Sequence, residues 1–158
     1  MAIYLKYGSI NGDSTTDGYK QWINSDSFQW GVGRGVGSAA RGLANREASE
    51  PSLSEIVMTK RMDVASVPLL QDAWGGQMDN AVTIKFTTTT KNAVIDFLIY
   101  ELENVGLSGY SISSGGDMPS ESLSLNFTKI TVTFKGVDAA TQAKPISANY
   151  DMTQMKGA

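Results

Sequence analysis

A strict alternation of apolar and polar residues at 82–87 is the feature that most constrains the fold of this chain. Val82, Ile84 and Phe86 alternate there with two threonines and a lysine. Successive side chains of a strand point to opposite faces, so the pattern predicts a strand that is buried on one face only. The same period of two recurs at 3–7, 27–30 and 56–59. We therefore expect a mainly β protein.

Residues 121–135 carry two alternating runs whose phases differ by one residue. Their apolar positions are Leu123, Leu125, Phe127, Ile130, Val132 and Phe134. This slip predicts a β-bulge near Thr128 and Lys129, which would bend the strand as a barrel requires. The opposite face is polar and uncharged, so it can line a water-filled channel. It consists of Ser124, Asn126, Thr128, Thr131 and Thr133.

One segment, 66–74, has good helix signals. Ser66 is predicted to cap this helix, Pro68 suits its first turn, and the Gly75-Gly76 pair ends it. Its apolar stripe consists of Leu69, Leu70, Ala73 and Trp74. The segment 94–105 also fits helical spacing, but its β-branched and aromatic residues favour a strand.

Four aromatic residues lie on apolar stripes and are predicted to pack in the core. They are Phe28, Trp30, Trp74 and Phe127. Together with Trp22, whose place is left open, they could instead form a platform on which sugars or bases stack. If Trp30 belongs to the core, its truncation to alanine costs about 3–5 kcal/mol.

The segment 33–51 has no persistent period and is rich in glycine and charge. Connections of this length without regular structure are uncommon in compact domains, and they are usually functional or disordered. One interpretation is a solvated loop. The other is an arm that orders against another subunit through its charged side chains. These are Arg34, Arg41, Arg46, Glu47 and Glu50.

The composition excludes several kinds of chemistry. The 158 residues include no cysteine and no histidine, which removes disulfides, cysteine-based zinc sites and every dyad built on histidine. The net charge of −3 disfavours nonspecific binding to nucleic acid. The glycines at 31–37 match a dinucleotide motif only weakly, since no βαβ pattern follows them. We expect no cofactor and no metal.

Two carboxylates, Glu101 and Glu103, share one face of the predicted strand. A solvated strand face explains them, although a hydrolase based on carboxylates alone is the rival hypothesis. The N-terminus lacks the apolar region of a signal peptide, and the strongest apolar stretch, 93–100, is too short to span a membrane. We expect synthesis in the cytoplasm and, if the protein is exported, export without a cleaved signal.

Five blocks of this sequence, in order, resemble the Hcp (haemolysin-coregulated protein) family of the bacterial type VI secretion system. They are LKYGSINGDS at 5–14, SFQWG at 27–31, PSLSEIVMTK at 51–60, DVASVPLL at 63–70 and ESLSLNFTKI at 121–130. Tube proteins of related phage-like injection machines resemble the chain less closely.

The resemblance implies a small β-barrel with one helix that assembles into hexameric rings. The rings stack into a tube inside a contractile sheath, beneath a VgrG-type spike, and effector proteins occupy the lumen. No catalytic residues carry over from the family. Gln29 matches a position that faces the lumen, and Ser27 lies on the same side. The arm matches a loop that reaches a neighbouring subunit or ring.

The sequence therefore predicts one domain over 1–158, with an extended loop at 33–51 and a tail at 152–158. Its expected fold is a small β-barrel of two packed antiparallel sheets with one short α-helix. Its expected function is that of a tube subunit, secreted after assembly, with no enzymatic activity. The rival function is a ligand-binding or carbohydrate-binding β-barrel.

Overall fold

The computed structural model describes residues 1–37 and 49–158, and strands make up most of the regular structure there. The strands are β1 (Ala2–Tyr7), β2 (Ile23–Ser25), β3 (Ser27–Gln29), β4 (Val32–Gly33), β5 (Ser52–Leu53), β6 (Ile56–Arg61), β7 (Asn80–Thr89), β8 (Val94–Ser113), β9 (Ser120–Asn126), β10 (Lys129–Phe134), β11 (Ile146–Asp151) and β12 (Lys156–Gly157). The helices are α1 (Ser66–Gly75) and α2 (Ala139–Gln142).

Two antiparallel sheets share the long strand β8. The first part of β8 belongs to sheet A, in the order β12-β11-β10-β8-β7-β1-β2, and its last part belongs to sheet B, in the order β3-β6-β9-β8. The sheets are joined again at Asp26, between β2 and β3, whose backbone N–H donates to the Thr59 carbonyl at 2.7 Å. This confirms the predicted mainly β, barrel-like fold and the strand at 94–105.

The core lies between the inner faces of the two sheets. Its side chains come from the inward positions of the strands, as alternation predicts: Leu5, Tyr7, Ile23, Ile56, Met58, Val82, Ile84, Leu102, Leu107, Leu123 and Leu125. Helix α1 covers this core and packs on β8. Phe28 and Trp30 are half-buried and meet Tyr100, with ring centroids 4.8 and 5.9 Å apart.

A buried ion pair lies among these apolar side chains behind sheet B. The Lys60 ammonium contacts Glu121 at 2.6 Å and Asp63 at 2.8 Å, and its side chain is 1% exposed. The Tyr110 hydroxyl donates to the other Glu121 oxygen at 2.7 Å. Burial raises the pKa of Glu121, but hydrogen bonds and the Lys60 charge outweigh it and hold the pKa below its usual value.

The loop at 8–22 covers part of the outer face of sheet A. Tyr19 stacks on Tyr4 with centroids 4.5 Å apart, and Trp22 meets the edge of Tyr19. The Lys85 ammonium lies 5.8 and 5.7 Å from the Tyr19 and Trp22 rings. Gly12 permits this close packing, because a Cβ there would lie 2.5 Å from the Trp22 carbonyl oxygen. Burial raises the pKa of Tyr19 to about 12.

Several sequence-based expectations are wrong in detail. Ser66 does not cap α1: Ala65 holds that position without a side-chain bond, and the Ser66 hydroxyl accepts the Asp63 N–H instead. Trp74 is not in the core but is 72% exposed, because α1 buries its Ser66–Leu69 side. The one-turn helix α2 was not anticipated.

The phase slip near Thr128 marks a change of sheet rather than a bulge within one strand. β9 pairs with β6 and with the last part of β8, whereas β10 pairs with the first part of β8 and with β11. The chain therefore leaves sheet B after Asn126 and enters sheet A at Lys129. Register shifts do occur, but they lie between β7 and β8 and between β8 and β9.

Candidate functional site: the outer face of sheet B

The outer face of sheet B is built from small hydroxylated and amide side chains. Cross-strand register aligns Ser27 with Thr59, Thr59 with Ser122, and Ser122 with Ser111. A second row aligns Gln29, Val57, Ser124 and Gly109, and a third aligns Arg61, Ser120 and Ser113. Because the same strands point their apolar residues inward, this face is polar and lies open to solvent.

Hydrogen bonds within the face satisfy part of its polar groups. The Ser27 and Thr59 hydroxyls lie 2.5 Å apart, and the Ser25 hydroxyl donates to the Thr59 carbonyl at 2.9 Å. Gln29 stands opposite Val57 and is exposed. These contacts confirm that Ser27 and Gln29 share one outward side of β3, while the lumenal role expected for them remains a prediction.

Charge is confined to the two ends of this face. On β6 and just before it, the outward positions are Glu55, Val57, Thr59 and Arg61, so an acid and a base bracket two uncharged residues. Glu55 accepts a hydrogen bond from the hydroxyl of Ser108. The middle rows therefore carry no charge, and apart from Val57 and Gly109 their side chains are hydroxyl or amide groups.

Sheet B also has two unpaired edges. On one side β3 pairs with β6, and on the other side the last part of β8 pairs with β9. In the described part of the chain, neither strand has a hydrogen-bonded neighbour on its outer edge. Unpaired strand edges carry free N–H and C=O groups, which can pair with another chain.

The arm predicted at 33–51 leaves the fold at one end of sheet B. Strands β3 and β6 pair with each other, and the chain between them continues this hairpin through the short β4–β5 pair. Arg34 and Glu50 are exposed on the arm. Arg41, Arg46 and Glu47 lie outside the described residues.

A small apolar pocket lies under the base of the arm, between β4–β5 and β10–β11. Its volume is about 150 Å³, and Trp30, Leu53, Ile130 and Tyr150 are among its lining residues. Among residues 1–37 and 49–158, no group accepts a hydrogen bond from the buried Trp30 indole N–H. Typical small-molecule pockets are roughly 300–1,000 Å³, so this pocket does not favour the ligand-binding barrel.

The remaining sequence-based candidates do not assemble into a site. Glu101 and Glu103 share one side of β8 and are exposed, as the solvated-face interpretation predicts. Across residues 1–37 and 49–158, no three acidic side chains converge on a possible metal site. Over the same residues, no helix is both long enough and apolar enough to cross a bilayer.

Sequence reasoning found the polar face only in part. Ser124 and Asn126 were expected to share a face with Thr131 and Thr133, but the two threonines lie on β10 in sheet A. The serines of β8 were missed. Alternation reveals which residues of one strand share a side, whereas strand pairing decides which strands share a sheet.

Comparison with known proteins gives a consistent result. A family model described as "Type VI secretion system effector, Hcp" matches residues 4–134. A solved structure of a type six secretion system protein is 26% identical, covers 99% of both chains and has a TM-score of 0.88. Hcp1 from Salmonella typhimurium is 21% identical over 99% of this chain and 98% of its own, with a TM-score of 0.78.

A type VI secretion system effector from Yersinia pestis is also similar. It is 20% identical, covers 94% of this chain and 98% of its own, and has a TM-score of 0.75. The comparison with curated proteins finds no match. The two structures below 25% identity support the fold alone.

Proposed function

Because the chain belongs to the Hcp family of the type VI secretion system, we propose that it is a structural subunit of the secretion tube. Six copies form a ring, and the rings stack into a tube that sheath contraction expels from the cell. The protein acts as a building block and a carrier, without catalysis. Residues 1–158 act in this as a single domain.

The uncharged hydroxyl face of sheet B is the observation that carries this proposal. A channel through which folded proteins move needs a wall that water wets and that holds no cargo by strong charge attraction. Ser27, Gln29, Thr59, Ser122 and Ser111 provide such a wall in the middle rows of the sheet. We therefore assign this face to the lumen.

The two unpaired edges of sheet B support the ring. A cyclic assembly needs two different patches on each subunit, since every interface joins one patch to the other. The β3 edge of one copy and the β8 edge of the next are two such patches. Joining them in a circle extends sheet B into a continuous inner wall.

The remaining partners follow from this architecture. A VgrG-type spike lies at the tip of the tube, a contractile sheath surrounds it, and effector proteins occupy its lumen. Arg34, Arg41, Arg46, Glu47 and Glu50 of the arm contact a neighbouring subunit or ring. The subunit assembles in the cytoplasm and is then secreted.

Native mass spectrometry and negative-stain electron microscopy on one purified sample test the proposal. We expect a mass of six chains and rings with a central hole. A monomer by both methods at high concentration contradicts the tube function.

As a matched variant, Gln29→Lys should alter cargo retention and leave the hexamer intact. Loss of the hexamer in this variant would place Gln29 in the subunit interface instead.

A further inference from the structure

Helix α1 exposes an apolar face that the core does not use. Its buried side carries Ser66 and Leu69, while Val67 and Trp74 on the other side are 58% and 72% exposed. Gln71 lies between them in helical spacing and is exposed too. Exposed apolar side chains that share one face, as Val67 and Trp74 do here, mark a surface for a partner.

An uncompensated carboxylate lies beside this face. Asp72 accepts hydrogen bonds from the Tyr7 hydroxyl at 2.5 Å and from the Asn80 amide at 3.3 Å, and both donors are neutral. Burial and this carboxylate raise the pKa of Tyr7. Asp72 and Trp74 line one open depression together with Gln71 and Asn80. No ion pair to Asp72 occurs in the described residues.

The base of the arm carries a positive charge between apolar side chains, which complements the carboxylate beside α1. In the extended chain at 32–36, every second side chain points the same way, so Val32, Arg34 and Val36 share one side and glycines occupy the other. Val32 and Val36 are 55% and 53% exposed, and Val32 also lines the small pocket beside Trp30 in its own copy. Arg34 is exposed as well, and it makes no ion pair with any residue that the structure describes.

These two surfaces match each other in chemistry and in length. The valines of the arm strip are about 13 Å apart at the rise of a strand. Val67 and Trp74 are about 10 Å apart at the rise of a helix. An arginine between the two valines can stack its guanidinium on the Trp74 ring and bond to Asp72, which is the pairing that arginine makes best.

We infer that the arm strip Val32–Arg34–Val36 of one copy docks on the exposed α1 face of a neighbouring copy, with Arg34 between Trp74 and Asp72. This rests on the proposed tube function and deepens it, because it names the receptor for the arm. Within one copy the base of the arm pairs with β5, whereas α1 packs on β8. The contact is therefore heterologous and can propagate from copy to copy.

Disulfide cross-linking tests this contact. Because the chain has no cysteine of its own, only the introduced cysteines can form a disulfide. One batch of full-length protein carries Val36→Cys at an exposed position, which leaves Arg34 in place, and a second carries Gly75→Cys. A Cβ at position 75 would meet no atom within 4 Å, so Gly75→Cys causes no steric clash. The batches are mixed, allowed to assemble and exchange subunits, and oxidised mildly. Lys91→Cys, on the exposed turn between β7 and β8, replaces Gly75→Cys in the control mixture.

We expect a covalent dimer from the Val36→Cys and Gly75→Cys mixture in about tenfold excess over the control mixture, the ratio that a contact worth 1.4 kcal/mol supports. Native mass spectrometry of the same samples reports the ring. Intact rings with dimer yields equal to the control overturn the inference and leave the tube function standing. Monomers throughout overturn both.

A second variant separates side-chain recognition from mere proximity. Trp74→Ala changes an exposed residue, so we expect it to fold normally and to weaken self-association about tenfold in sedimentation, as loss of an interface aromatic does. Val64→Ala, an exposed apolar residue just before α1, is the matched control and should not change association. Unchanged self-association of Trp74→Ala, or binding that changes only towards a different protein, also overturns the inference.

Discussion

The two sheets share strand β8, but the outer face of sheet A is partly covered and that of sheet B is exposed. Sheet A hides part of its outer face beneath the loop at 8–22, where Tyr4, Tyr19 and Trp22 pack around Lys85. Asp96 then joins Lys85 at 3.0 Å and Lys135 at 3.2 Å. Sheet B leaves serines, Thr59 and Gln29 uncovered, with charge only at its ends.

The two outer faces contribute differently to stability and to function. A face that carries aromatic stacking and ion pairs contributes to folding, and its residues are constrained by their neighbours. An exposed face of small hydroxyl groups contributes little to the stability of the fold. Its composition can therefore suit the cargo that passes along it. Substitutions on the two faces should therefore divide between stability and function.

The largest expected effect comes from directly behind sheet B. Lys60→Met leaves Glu121 buried without its partner, and breaking a buried pair in this way costs about 3–5 kcal/mol of unfolding free energy. Arg61→Met, the next residue on the outer face, should change it by no more than about 0.5 kcal/mol. Urea unfolding of both variants measures the difference. Equal losses would show that the outer face is as constrained as the interior.

A smaller loss is expected from the cover of sheet A. Tyr19→Ala removes a buried ring that stacks on Tyr4 and lies near Lys85, and we expect a loss of about 2–3 kcal/mol. Ser122→Ala on sheet B should cost less than about 0.5 kcal/mol. Thermal and urea unfolding compare the two. A Tyr19→Ala protein as stable as the parent would mean that the loop covers sheet A without stabilising it.

The Asp96 ion pairs should give sheet A a pH dependence. Burial raises the pKa of Asp96, but hydrogen bonds and charges from Lys85 and Lys135 outweigh it, so the pKa lies below its usual value. The resulting stability is complete above the usual aspartate pKa and is lost as pH falls through the lower, folded value. Asp96→Asn should therefore cost about 1 kcal/mol at pH 7, a modest figure because both lysines are partly exposed.

Urea unfolding of the parent and of Asp96→Asn between pH 7 and about pH 2 follows this loss. The two stabilities should converge in acid. A difference that stays constant with pH would mean that Asp96 stabilises sheet A through its shape and packing rather than through its charge.

The smallest effect on folding is expected at the centre of the polar face. Gln29→Lys adds an exposed charge and should change the unfolding free energy by no more than about 0.5 kcal/mol. Its effect should appear instead as altered retention of cargo during co-purification. A strong loss of stability with unchanged cargo would reverse the roles of the two sheets.

Much of this architecture can be predicted from the sequence. The features that cannot be predicted are missed for physical reasons. Alternation identified β7 and the inward side of β6 and β9, because burial imposes a period of two. It also placed Lys60 and Glu121 at inward positions, a signal that reasoning from single strands passed over. An opposite charge at an inward position of each of two strands would have predicted the buried pair.

The errors share one origin, since periodicity fixes which residues share a side but not what covers that side. The helical stripe linked Trp74 to Leu69, yet Trp74 lies beyond the edge of the core and is exposed. Phe134 continues the alternation of β10 and is half exposed for the same reason. The residues near Thr128, where a bulge was predicted, connect the two sheets instead. Only the pairing of β9 and β10 with different parts of β8 reveals this.

In the proposed tube, sheet B faces the lumen of the ring, and a gold label shows whether it does. Ser122→Cys in the cysteine-free chain carries a small gold cluster to the middle of the polar face, and Lys91→Cys carries it to the far turn of sheet A. Electron micrographs of assembled rings then show where the gold lies. We expect gold in the central hole for Ser122→Cys and outside it for Lys91→Cys. Gold from Ser122→Cys at the outer rim would mean that sheet B does not face the lumen.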